Sequence, residues 1–252
     1  MVELSSTSRQ STTRVSALPK PVSAVILGAL LACAAAAWLL TLRQSASMGM
    51  GGVAMMSAGI FLVTWVVMMV AMMFPAVAPM VLVHASVVRS RGGGILPTAA
   101  FVAGYLVVWT AAGLIPLAAI QILGSAIAMP FSDWLPRLGG AVIVLAGLYQ
   151  FTPLKNACLR ACRSPLGFLM THDFGGGTPA AARAGMSHGL YCLGCCWALM
   201  AVLAVVGLMS VAWMAAFAVI FFLEKNWRRG VALSQAVGLA CVAGGLFVVI
   251  VG

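Results

Sequence analysis

The densest run of chemically capable side chains is H-G-L-Y-C-L-G-C-C-W, from His188 to Trp197. On a helix His188, Cys192, Cys195 and Cys196 fall at i, i+4, i+7 and i+8, so they line one face. A soft polar stripe in an otherwise apolar segment marks a pathway or a ligand site. The competing reading is packing, because free cysteine behaves as a small hydrophobe and is commonly buried. Thiolate, thioether and imidazole together select a soft ion, Cu(I) first. Zinc is the alternative if Cys192, Cys195, Cys196 and His188 act alone as a Cys₃His set. One helix cannot easily turn four neighbouring ligands onto a tetrahedral ion, so two or three of them with a ligand from another helix is the expectation.

A second run, W-V-V-M-M-V-A-M-M-F-P-A-V-A-P-M from Trp65 to Met80, offers thioethers. Met69 and Met73 are four apart, as are Met68 and Met72, so at least one pair shares a face. A methionine-rich helix is also ordinary gap-filling packing. Pro75 and Pro79 interrupt the helix directly below, and each frees a carbonyl one turn earlier, as happens at gates and ion sites. With a rise of about 1.5 Å per residue, Cys192 lies roughly 12 Å from the inner boundary and Cys195 and Cys196 roughly 17 Å, the level of the four methionines. The two groups form one site if their helices are neighbours. Glu224 reaches the level of His188, and it is expected either to accept the imidazole N–H or to pair with Lys225 or Arg228.

Further soft ligands lie outside these two runs. In P-L-K-N-A-C-L-R-A-C-R, Cys158 and Cys162 are one helical turn apart among Lys155, Arg160 and Arg163, whose charges favour thiolate character. That spacing suits a shared metal better than a disulfide; the alternative is an interfacial amphipathic turn with its cysteines in lipid and its cations on phosphate. Met48, Met50, Met55 and Met56 form a Gly-rich segment that collects Cu(I) or merely begins the next helix. His84 extends the methionine line beyond Met80. Cys33 and Cys241 sit in apolar spans without soft neighbours and read as inert. His172 and Asp173 have no nucleophile at a readable spacing. No Walker loop, dinucleotide fingerprint or acid/base pair is present, which speaks against a nucleotide-driven pump or a hydrolase.

The elements that must position these residues follow from composition. Of 252 residues 63% are hydrophobic and 7% charged, where a soluble domain carries about a quarter charged. The expected fold is all-α, a polytopic helical membrane bundle of about seven transmembrane helices at roughly 22–42, 59–87, 98–124, 138–152, 184–208, 211–224 and 231–251. The fourth and sixth are shorter than the about 20 residues that a perpendicular helix needs. Residues 1–21 read as a disordered basic tail; 22–252 form one transmembrane domain, with an inner loop at 153–183 whose second half, around Gly175-Gly176-Gly177 and Pro179, reads as flexible. With the N-terminus cytoplasmic, Arg9, Arg14, Lys20, Arg89, Arg91, Lys155, Arg160, Arg163, Arg183, Lys225, Arg228 and Arg229 lie inside, and Arg43 and Arg137 outside. Twelve of 14 cations on one side is the positive-inside pattern. The net charge of +10 therefore records topology and gives no reason to expect nucleic acid. Gly185 and Gly189 form a GxxxG suited to close packing inside the bundle, or less simply to a dimer.

The strings A-M-M-F-P-A-V-A-P-M, P-L-K-N-A-C-L-R-A-C-R-S-P-L and G-M-S-H-G-L-Y-C-L-G-C-C-W-A-L-M, with the later Glu224-Lys225, resemble a bacterial membrane family of unknown function described as "predicted metal-binding integral membrane protein". The resemblance runs from about Ala54 to the end. It implies that Cys158, Cys162, His188, Cys192, Cys195, Cys196 and Glu224 belong to the family pattern. A proline follows the Glu-Lys pair in that pattern, where Asn226, Trp227 and Arg228 stand here.

The leading expectation is a Cu(I)-handling protein of the bacterial inner membrane. Its ligands would be Met68, Met69, Met72, Met73, His188, Cys192, Cys195, Cys196, Cys158 and Cys162, with Glu224 behind them. Its partner would be a soluble metallochaperone or a client cuproenzyme. Two alternatives stay open: a membrane thiol oxidoreductase using the CxxC at Cys192 and Cys195, and a non-catalytic assembly subunit with a structural metal.

Overall fold

The computed structural model describes residues 20–47, 56–127, 135–171, 177–207 and 210–251. Met48, Met50, Met55, His172, Asp173 and all but the last two residues of the basic tail lie outside them. The described residues form ten helices and no strand: α1 (Lys20–Ser47), α2 (Ala58–Ser90), α3 (Leu96–Ala112), α4 (Leu114–Ile127), α5 (Leu135–Tyr149), α6 (Pro153–Arg163), α7 (Pro165–Met170), α8 (Gly177–Gly207), α9 (Val211–Asn226) and α10 (Gly230–Val251). Every apolar segment read from the sequence is helical. Five spans are long and apolar enough to cross a membrane: Pro21–Ala46, Ala58–Ser90, Leu96–Ile122, Gly177–Gly207 and Gly230–Val251. Pro136–Tyr149 and Pro153–Arg163 qualify together as one broken span bent by 64°. α9 has 16 residues, in keeping with the shortness of the sixth apolar segment.

The stretch 153–183, read as a loop, is largely helical. Thr152 starts α6: its hydroxyl accepts from the Lys155 amide at 3.2 Å and donates to the Tyr149 carbonyl at 2.8 Å. The N-cap therefore also holds the sharp bend after α5. α8 begins at Gly177, inside the part expected to be flexible, because Pro179 stands within the first turn, where its missing N–H has no intrahelical partner to lose.

α8 is the organising element and packs on α3, α5, α6 and α9, while α2 packs on α1, α3, α7 and α9. Its contact with α3 depends on small residues. A Cβ at Gly185 would meet the Phe101 carbonyl, and one at Gly104 the Ala182 carbonyl. The GxxxG thus brings two backbones together inside the bundle. Trp65 ties α2 to α3 by donating its indole N–H to the Trp109 carbonyl at 2.8 Å. Phe101, Tyr105 and Trp109 fill the space between α3 and its neighbours, each at most 1% exposed.

Candidate metal centre

Three cysteines from two helices converge beside the middle of α8. The Sγ atoms of Cys162 on α6 and of Cys192 and Cys195 on α8 all lie within 4.8 Å of one another, with Cys162 and Cys195 3.9 Å apart. For metal–sulfur bonds of about 2.3 Å, three sulfurs around a trigonal ion would stand about 4.0 Å apart, so the set needs little rearrangement to close on a metal. Two ligands on one helix and a third from another is the arrangement that helix geometry favours. The extra ligand comes from α6, however, and not from the methionine helix.

Local sequence explains how α6 is held there. Its cysteines, Leu159 and Lys155 are all buried, so the amphipathic face covers α8 and not lipid. Gly194 makes room: a Cβ at that position would stand 2.7 Å from Cys158 Sγ. The Gly194 carbonyl accepts from the Tyr149 hydroxyl at 2.6 Å, which brings the end of α5 to the same turn. Lys155 does not serve the thiols. Its Nζ lies 2.8 Å from Glu224 Oε2, with both side chains buried. Glu224 is therefore the partner of Lys155, not of His188, Lys225 or Arg228, because its side chain points across to α6. Glu224 Oε1 finds no hydrogen-bond partner among the described residues. Arg163 completes the α6–α9 junction by donating from Nη1 to the Glu224 and Trp227 carbonyls at 2.6 and 2.7 Å and from Nη2 to the Arg228 carbonyl at 3.1 Å. It thereby caps the end of α9 where the helix's own donors run out.

Cys192 is the most heavily contacted sulfur. Lys225 Nζ lies 3.0 Å from it and the Tyr105 hydroxyl 3.1 Å. A thiolate there has an ammonium at hand to balance its charge, which a dry interior requires. Cys195 and Cys196 both direct their thiols to the Cys192 carbonyl, at 3.1 and 2.8 Å. Cys196 is outside the group of three, as is Cys158. His188 is buried among Phe101, Tyr105 and Phe168, with ring centroids 6.0, 6.0 and 5.2 Å away. It shares a cavity of about 160 Å³ with Met80, Pro79, Cys162, Cys192 and Lys225.

The methionines divide. Met73 Sδ lies 3.6 Å from Lys225 Nζ, and so stands across the ammonium from Cys192. Met80 lines the cavity. Met72 opens onto a crevice with Trp38 and Ala215, and Met68 and Met69 are buried in the apolar core. Pro75 and Pro79 stay within a continuous α2; Pro79 forms cavity wall. The sequence pointed to none of Lys225, Tyr105 or Tyr149 as a neighbour of the thiols. A lysine at the C-terminal end of an apolar helix was the one available signal. Cys33 is exposed and Cys241 half-buried, and neither belongs to the group of three.

Residues 62–248 match the sequence model of a family described as a copper chaperone, PpoB2. No curated protein and no solved structure matches the chain.

Proposed function

The chain belongs to this copper chaperone family, and on that premise we propose that it holds Cu(I) as cargo in the bacterial inner membrane and hands it to a client cuproenzyme or a soluble metallochaperone. The observation that carries the reading is the convergence of Cys162, Cys192 and Cys195 within 4.8 Å. Three thiols with no carboxylate among them are a soft donor set, which favours Cu(I) over hard cations. The ion would be held by these three sulfurs at the junction of α6 and α8. His188 and Met80 border the adjoining cavity and Met73 the far side of Lys225; they are positioned to take the ion in or release it by ligand exchange.

The same proposal includes the topology. Twelve of 14 cations gather on one side if all seven apolar segments cross with the N-terminus inside. The cluster then lies toward the cytoplasmic face. Of these four cysteines, Cys158 and Cys162, at 8% and 9% exposed against 0% for Cys192 and Cys195, are the nearer to the surface and the natural point of transfer.

The test is metal analysis of the full chain purified without oxygen and loaded with Cu(I). One ion per chain is expected in the wild type, with loss of that ion when Cys162, Cys192 and Cys195 are all replaced by serine. A wild type without stoichiometric copper, or a triple variant that keeps it, removes the reading.

A further inference from the structure

Lys225 stands between the two kinds of soft ligand. Its Nζ lies 3.0 Å from the Cys192 thiol on α8 and 3.6 Å from the Met73 thioether on α2. The Phe221 ring presents its face 6.0 Å away, and such a face also attracts cations. Glu224, the adjacent acid, is committed to Lys155, so the ammonium is held by two sulfurs and an aromatic ring. Those are surroundings for a soft univalent cation more than for a lysine. Beside the ammonium lies the cavity of about 160 Å³, which Lys225 itself lines with Met80, Cys162, Cys192 and Asn226. Its four-carbon stem is flexible, and the cavity it lines is the adjoining free space.

We propose that the Lys225 ammonium is a tethered placeholder for the cargo ion. It sits against the Cys192 thiol while the three-sulfur site is empty and withdraws into the neighbouring cavity when Cu(I) binds there. The proposal rests on the copper-handling reading above and adds how loading and release are regulated. Loading becomes an exchange of one univalent cation for another, and the returning ammonium helps to expel the ion. The site therefore holds its cargo more loosely than three thiolates alone would, which suits a protein that must pass the ion on.

The experiment replaces Lys225 in the full chain with leucine, which removes the charge without adding a sulfur, and with arginine, which keeps the charge. Cu(I) affinity and release are read by anaerobic competition with a chromogenic chelator. Two like charges a few ångströms apart repel, at the effective dielectric of a protein, by more than a tenfold affinity change requires. K225L is accordingly expected to bind Cu(I) at least about tenfold more tightly and to release it more slowly, while K225R stays within a few-fold of wild type. Equal or weaker binding by K225L would overturn the placeholder, because a lysine that only balances thiolate charge predicts a loss.

A second measurement uses the wild type alone and so does not depend on a variant folding. Lys225 is 7% exposed and should resist a small acetylating reagent until Cu(I) is added, after which its peptide should gain the label by mass spectrometry. Unchanged or reduced labelling on loading counts against the proposal. A wild type that binds no copper removes the underlying function as well; normal copper binding combined with either negative result removes only the role of Lys225.

Discussion

Lys155 and Glu224 form a fully buried ion pair, Nζ to Oε2 2.8 Å, that fastens α6 to α9 across 69 residues of chain. Its position explains why α6, a short helix with two arginines, stays docked with Cys162 facing Cys195 when it could lie on the membrane surface. Removing one partner of such a pair leaves an uncompensated buried charge and costs about 3–5 kcal/mol, whereas replacing both with apolar groups is often neutral. Lys155→Met and Glu224→Leu should therefore each lower the unfolding midpoint in detergent and reduce copper occupancy. The double variant should recover most of the stability. If the double variant is as unstable as the worse single one, the pair is not what holds α6.

The three-sulfur group makes a sharper prediction than the cysteine count. Cys162→Ser, Cys192→Ser and Cys195→Ser should each weaken Cu(I) binding by at least about a hundredfold, more than the 10–100-fold typical of outer partners. Cys196→Ser should keep the ion, because its thiol is turned to the Cys192 carbonyl. Cys33→Ser and Cys241→Ser, at positions outside the group of three, should bind as wild type does. Chelator competition on the six variants gives the order directly, and a C196S loss as large as that of C195S would refute the assignment.

Hydropathy carried the helices into view. The apolar runs are helical in the described residues, as long apolar segments of this composition are expected to be, and the GxxxG at Gly185 and Gly189 marked a real close approach. Helical spacing likewise placed Cys192 and Cys195 on one face, together with His188 and Cys196, and the structure brings the first two within reach of Cys162. What covers that face was not legible. The i, i+4 spacing of Cys158 and Cys162 describes a stripe equally well whether lipid or α8 lies beneath it, and Gly194 gains meaning only once Cys158 is above it. Glu224 and Lys225 misled for a related reason. Neighbours in sequence suggest a pair, but consecutive helical residues point in different directions, so Glu224 reaches α6 while Lys225 reaches Cys192 and Met73. Depth along the helices suggested that the methionine run meets the cysteines, yet depth says nothing about azimuth: Met73 reaches Lys225 and Met80 the cavity, while Met72 lines another crevice.

Gly194 gives a packing test of the α6 position. An added methyl at 2.7 Å from Cys158 Sγ must push α6 outward, and overpacking of this kind typically costs about 1–3 kcal/mol. Gly194→Ala should lower both the unfolding midpoint and copper affinity, since Cys162 moves with Cys158. Adding Cys158→Ala removes the clashing sulfur, so G194A/C158A should be more stable and bind copper more tightly than G194A alone. Additive losses in the double variant would mean that the two residues do not press on one another.

Met73 and Met80 are the methionines that adjoin the cluster, one across Lys225 from Cys192 and the other in the cavity wall. If thioethers serve transit and thiols serve storage, Met73→Leu and Met80→Leu should leave one ion bound per chain but slow its capture and its transfer to a chelator. Leucine is close in volume to methionine, so each change should cost less than about 1.5 kcal/mol, and the unfolding midpoint reports whether that holds. Met68→Leu and Met69→Leu, which neither line the cavity nor contact Lys225, should leave the rates untouched. Stopped-flow transfer under anaerobic conditions separates the two groups. Equal slowing by all four would restore the whole methionine run as the path, and no slowing by any would confine the chemistry to the cysteines.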